Sequence, residues 1–166
     1  MPERNRKEET AQERVEEAVN TYSSPSQLKI TDLRVTRVAA PYDYFLIRID
    51  TNQDVYGIGE GHESSHVKNI LQYKSILLGQ NPCNVDMIFQ AMKPFGGWGT
   101  EGSGVSGIEI ALWDLVGRVY GAPCYQFLGG KYRDRVRLYA DTPSPKENTP
   151  EGYAERIRHR KALGLT

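Results

Sequence analysis

The chain has 166 residues, enough for one domain and part of another. Lys plus Arg equals Asp plus Glu at 21 each, so the formal net charge is +0 and no global basic field draws the protein to nucleic acid or an anionic membrane. No apolar run has transmembrane length, and charged residues follow the first Met where a signal peptide would be apolar. Cys83 and Cys124 stand outside any CxxC pair, so a cytoplasmic protein with reduced thiols is expected.

Residues 1–27 are charged and poor in large apolar side chains. Glu8 to Asn20 favours helix, but only Val15 and Val19 form an apolar pair, and Ser23-Ser24-Pro25-Ser26 breaks it. This stretch reads as an extension outside the core. From Leu28 to Ala40 the chain is rich in Ile, Val and Thr in alternation, which predicts a strand. Pro41-Tyr42-Asp43 turns it. Tyr44 to Asp50 predicts a second strand, Thr51 to Asp54 a turn, and Val55 to Gly59 a third strand. Three strands on short turns make an antiparallel meander. Val67, Ile70, Leu71, Leu77 and Leu78 then mark an amphipathic helix ended at Gly79. Asn84 is a candidate cap for a helix carrying Val85, Ile88, Phe89 and Met92. A meander followed by helices predicts an α+β domain with the helices packed on one sheet face.

Ser103 to Gly130 reads SGVSGIEIALWDLVGRVYGAPCYQFLGG. Val105, Ile108, Leu112, Leu115 and Val119 recur at steps of three and four and line one face of a long helix. Ser106 and Glu109 have the spacing of a capping box, Gly121 suits a left-handed terminus, and Cys124 to Leu128 predicts a second short helix. The ordered run Ala111-Leu112-Trp113-Asp114-Leu115, Gly117-Arg118, Gly121-Ala122-Pro123 and Leu128-Gly129-Gly130 resembles the end of the capping domain of the enolase superfamily. The resemblance is strongest to the mandelate racemase and muconate lactonizing enzyme group, and within it to the acid-sugar dehydratases.

After Gly130, Val136 to Ala140 predicts a strand, residues 142–150 a proline-rich loop and Gly152 to Leu163 a helix with a basic face. By the resemblance this is the first βα unit of a (β/α)₈ barrel, a fold that takes about 250 residues. The expected organisation is therefore an extension over 1–27, a capping domain over 28–131, and the start of an incomplete TIM barrel over 132–166. We expect a fragment or a gene model cut short.

Three motifs bear on chemistry. His62-Glu63-Ser64-Ser65-His66 spells HExxH, which on a helix places two histidines on one side for zinc, with Glu63 as base. Gly57, Gly59 and Gly61 precede it, however, which predicts a loop or helix start and argues against a zinc peptidase. Gly97 to Gly102 matches GxGxxG, but a helix precedes it where a dinucleotide site needs a strand. Gly57-Ile58-Gly59-Glu60 resembles the end of the capping domain's third strand.

The resemblance implies an enzyme that removes a proton next to a carboxylate, with Mg²⁺ stabilising the enediolate. It makes the whole protein a lyase dehydrating a sugar acid such as an aldonate, with racemase or cycloisomerase activity as alternatives. The base and the Mg²⁺ ligands belong to later barrel strands, so no catalytic or metal residue is expected in this chain, and the chain alone should be inactive. Capping-domain loops close over the barrel mouth in this superfamily. The matching positions point to His62, Trp98 and Glu60 as substrate neighbours. A small acid sugar and other copies of the chain are the expected partners. A non-catalytic interaction or oligomerisation module is the alternative from another class.

Overall fold

A computed structural model describes residues 24–39, 43–96, 104–141 and 144–165. The expected helix in the N-terminal extension, the turn at Pro41-Tyr42 and the Trp98 loop with its GxGxxG motif lie outside the described residues. The chain forms two compact units that part between Gly129 and Gly130.

The first unit is built on β1 (Ile30–Ala39), β2 (Asp43–Thr51) and β3 (Tyr56–Gly61). They form one antiparallel sheet in the order β1-β2-β3, with Val35 opposite Ile47 and Phe45 opposite Gly61. Strand alternation sends Leu33, Phe45, Ile47 and Ile49 into the core and leaves Arg34, Leu46 and Arg48 on the other face. The β2–β3 turn holds Asp54 at φ 59, and the Thr51 hydroxyl donates to the Val55 carbonyl at 2.6 Å. Residues 24–27, read with the extension, are instead tied to this turn. Asn52 bonds the Lys29 amide and the Gln27 carbonyl, while Gln53 bonds the Ser24 backbone, and Pro25 is buried.

The single helix expected from Val67 to Leu78 is two: α1 (Val67–Leu71) and α2 (Lys74–Leu77). The buried side is Ile70, Tyr73 and Leu77, and i→i−3 bonds at Tyr73 and Ile76 tighten the junction. Leu71 and Leu78 stay outside. Gly79, at φ +81, ends the pair and donates its N–H to the Ile30 carbonyl, fixing the helices to β1.

Helix α3 (Val85–Met92) buries Val85, Ile88 and Met92. Asn84 stands at its start, but its side chain makes no capping bond. Helix α4 (Val105–Tyr120) buries the anticipated stripe together with Ala111 and Val116. It starts one residue after Gly104, at φ +89, so Ser106 is the second helical residue and the capping box does not form. Glu109 instead accepts from the Trp113 indole at 3.4 Å. At the other end Gly121, at φ +62, closes the helix as its sequence implied. Cys124–Gln126 is a 3₁₀ turn rather than a helix to Leu128, because each amide from Gln126 to Leu128 bonds the carbonyl three residues back.

In the second unit the strand predicted at Val136 to Ala140 is absent, and Val136, Leu138 and Tyr139 are exposed. A strand exists through its neighbours, and the second unit supplies no other strand among its described residues. Helix α5 (Pro150–Ala162) forms, with the Thr149 hydroxyl accepting from the Gly152 amide at 3.2 Å. It buries none of its residues. Among the described residues no helix is long and apolar enough to cross a membrane.

Candidate functional site

The geometry of the site begins with three glycines. A Cβ on Gly57 would strike the Ala111 carbonyl oxygen of α4, and one on Gly59 the Gly107 carbonyl oxygen, with the Ala111 nitrogen at 2.8 Å. From the helix side, a Cβ on Gly107 would lie 2.7 Å from Ile47 Cδ1 and 2.8 Å from the Glu60 carbonyl oxygen. Strand β3 and helix α4 are therefore packed backbone to backbone. Alternation places Gly57, Gly59 and Gly61 on that side and Tyr56, Ile58 and Glu60 on the other.

Asp114 locks this seam. As the edge strand, β3 has amides that no further strand satisfies, and the Asp114 carboxylate accepts from the Ile58 N–H at 2.8 Å. It also accepts from Arg118, one turn along α4, at 3.0 Å. Arg118 and Arg48 lie over the Tyr56 ring, at 4.9 and 3.8 Å from its centre. The Trp-Asp pair is legible in the sequence, but the role of Asp114 is not. The one signal available was Arg118 four residues on.

Tight packing of β3 on α4 brings two loops to one end of the sheet. Gly61 ends β3 beside Phe45, and the His62–His66 loop follows, with the Ser65 amide bonding the His62 carbonyl at 2.8 Å. Gly104, at the start of α4, packs on Ile70 just beyond that loop. Ala39 and Asp43, flanking the β1–β2 turn, pair at the same end. The His62–His66 loop, the start of α4 and the flanks of the β1–β2 turn thus converge on one rim.

His62 is exposed on this rim, and its Nδ1 faces the Ser64 hydroxyl at 2.8 Å and the Ser64 amide at 3.2 Å. Glu60 sits on the outer sheet face, and Trp98 lies outside the described residues. The HExxH motif is not helical: α1 begins only at Val67, and His66 is extended at φ −124. The two imidazoles therefore lack the common helical face that an HExxH zinc site uses. Among the described residues no group of three or more His, Cys, Asp or Glu is placed to hold a metal ion. The described residues therefore do not fit a Mg²⁺ ion.

At the opposite end of the sheet an open depression of about 340 Å³ lies among Arg34, Arg48, Asp50 and Asp54. Its ionic groups largely answer one another. Arg34 and Arg48 each bind one oxygen of Asp50, at 2.6 and 2.8 Å. Asp32, beside it, is held by Lys74 of α2. That hydrogen bond, and then the Leu33 amide, lower the Asp32 carboxyl below the usual carboxylate range against a smaller opposing desolvation.

A three-strand meander seated on a long helix through glycines is the capping-domain architecture of the enolase superfamily. The chain belongs to the mandelate racemase / muconate lactonizing enzyme family: residues 13–129 match its N-terminal domain. It is 38% identical over 133 residues to the D-xylonate dehydratase of Haloferax volcanii, covering 76% of this chain and 32% of that protein. It is 33% identical to the D-galactonate dehydratase of Verminephrobacter eiseniae, covering 84% of this chain and 37% of the relative. The crystal structure of an enolase from Pantoea ananatis, with bound D-gluconate and Mg, superposes with a TM-score of 0.67 at 27% identity, covering 84% of this chain and 35% of that one. The chain thus spans about a third of the length of the relatives it matches.

Proposed function

We propose that this chain forms the lid of a Mg²⁺-dependent sugar-acid dehydratase. The observation that supports the reading is the rim on which the strand-end loop at His62–His66 and the approach to α4 meet, taken with the D-xylonate and D-galactonate dehydratases among the relatives named above. The magnesium and gluconate of the Pantoea ananatis structure support the same metal and substrate class. His62 and Trp98 are the proposed substrate neighbours. Glu60, on the outer face, is better placed for contact with another protein surface, and a homo-oligomer is part of the proposal. The base and the metal ligands come from a barrel, so the lid selects the acid sugar while the barrel removes the proton.

A domain exchange tests this. Residues 13–129 replace the corresponding segment of the Haloferax volcanii enzyme. The chimera is assayed with Mg²⁺ and a panel of aldonates for 2-oxo acid product. Dehydration is expected, with His62→Ala changing KM or the preferred acid more than kcat. A chimera with native circular dichroism and normal Mg²⁺ affinity that turns over none of the acids would refute the reading. Racemisation or cycloisomerisation without water loss would replace it with the sister activities.

A further inference from the structure

The turn that follows β3 holds the backbone of His62 and leaves its ring in the open. Residues His62 to Ser65 close on the Ser65 N–H, which donates to the His62 carbonyl at 2.8 Å. Gly61 before the turn and Ser65 at its far end are both buried, so the turn is anchored on each side. An exposed ring on a fixed backbone still rotates about its own side-chain bonds. Here the next residue but one removes that freedom.

Two groups of Ser64 face a single ring atom. The Ser64 hydroxyl lies 2.8 Å from His62 Nδ1, and the Ser64 backbone N–H donates to the same nitrogen at 3.2 Å. A hydroxyl donates or accepts, so the first contact alone does not place the ring's proton. A backbone amide only donates. Nδ1 is therefore the unprotonated nitrogen, its lone pair shared by the amide and the hydroxyl, and the neutral ring carries its proton on Nε2. Nε2 lies across the ring from Ser64, and no described residue bonds it. His62 thus presents one N–H donor to the rim and no free acceptor. In that state it has no lone pair with which to take a proton from a substrate.

We propose that Ser64 is a positioning residue: it fixes the tautomer and angle of His62 so that Nε2–H donates to a hydroxyl oxygen of the acid sugar. Every aldonate carries the same carboxylate, and a charged donor answers that group best. The acids differ from one another in their hydroxyls. A neutral donor held in one direction therefore serves to choose among acids, with the ordering of its ring settled before substrate arrives. The substrate contact rests on the dehydratase reading above, whereas the held tautomer does not.

Two measurements separate these halves. On the full 166-residue chain, long-range proton–nitrogen correlation spectra at about pH 8.5, where an imidazole is neutral, read the tautomer from the ring-nitrogen shifts. The expected result is an unprotonated His62 Nδ1, with Ser64→Ala drawing the two nitrogen shifts toward each other and Ser64→Thr keeping the wild-type pattern. In the Haloferax volcanii chimera, Ser64→Ala should raise the aldonate KM about threefold and His62→Ala about tenfold, with kcat nearly unchanged. Adding Ser64→Ala to His62→Ala should cost nothing more, because Ser64 acts through the ring. A proton on Nδ1, or ring shifts indifferent to Ser64→Ala, overturns the positioning role. So does a KM that Ser64→Ala raises equally with and without His62. An active chimera whose KM ignores both variants overturns the substrate contact and leaves the dehydratase reading standing. A chimera that dehydrates no acid overturns that reading and the substrate contact together, while the spectra still decide the tautomer.

Discussion

Gly59 shows how little room a residue can be given. Its hydrogen occupies the space between β3 and α4, where a methyl group would meet the Gly107 carbonyl oxygen and the Ala111 amide. Both obstacles are backbone, so no rotamer change relieves them. Gly59→Ala should cost about 3 kcal/mol or more, read as a lowered urea midpoint. Gly79→Ala serves as a control, since nothing lies within 4 Å of its added methyl. The only penalty there is the φ of +81, about 1 kcal/mol. Tyr73 makes the opposite case. Its ring is fully buried, and its hydroxyl has no hydrogen-bond partner among the described residues. Removing an unsatisfied buried hydroxyl relieves a desolvation cost, so Tyr73→Phe should leave stability unchanged or raise it by about 1 kcal/mol. A loss above that range in the same urea titration would mean the hydroxyl has a partner in solution.

At the scale of elements, ionic contacts decide how strands meet helices. Asp114 supplies the acceptor that edge strand β3 lacks, so Asp114→Ala should destabilise by about 1 kcal/mol. It should also speed hydrogen exchange at the Ile58 amide. Asp114→Asn keeps an acceptor oxygen and should leave that amide protected, losing only the few tenths of a kcal/mol of an exposed pair with Arg118. The Asp32–Lys74 pair joins β1 to α2 and carries a pH dependence. Because the folded Asp32 pKa lies below its unfolded value, its contribution is present above about pH 4 and is lost as pH falls through the folded pKa. The urea midpoints of the wild type and Asp32→Asn should differ slightly at pH 6 and converge as pH falls through the folded Asp32 pKa. The difference should be small, since both side chains are about two-fifths exposed. Elements of this kind were legible in the sequence wherever period alone decides. The alternation through β2 and the 3–4 stripe of α4 predicted both the elements and their buried faces. What period does not carry was missed. The break between α1 and α2 depends on Tyr73 entering the core, and the start of α4 depends on Gly104 meeting Ile70. The loop at His62 was legible from the glycines before it, whereas the edge-strand role of Asp114 arises from a contact 56 residues away in sequence.

The largest difference between sequence and structure belongs to the whole molecule. Val136, Leu138 and Tyr139 have the alternation of a strand, and in the first unit equivalent residues are buried by a neighbour. In the second unit they are 67%, 66% and 83% exposed, and α5 buries none of its residues. At about 25 cal/mol per Å² of apolar surface removed from water, a unit that covers so little gains almost nothing to set against its ordering entropy. The cooperative stability of the chain must therefore reside in the unit ending at Gly129. Deleting residues 130–166 should shift the thermal midpoint by less than about 4 °C, the equivalent of roughly 1 kcal/mol in a domain of this size. Supplying neighbouring strands should do the reverse. In the Haloferax volcanii chimera extended to residue 165, amides from Val136 to Ala140 should become protected from hydrogen exchange, while in the isolated chain they exchange at the rate of an open peptide. If those amides are protected in the isolated chain, the strand forms without a barrel and the energetic division between the two units is wrong.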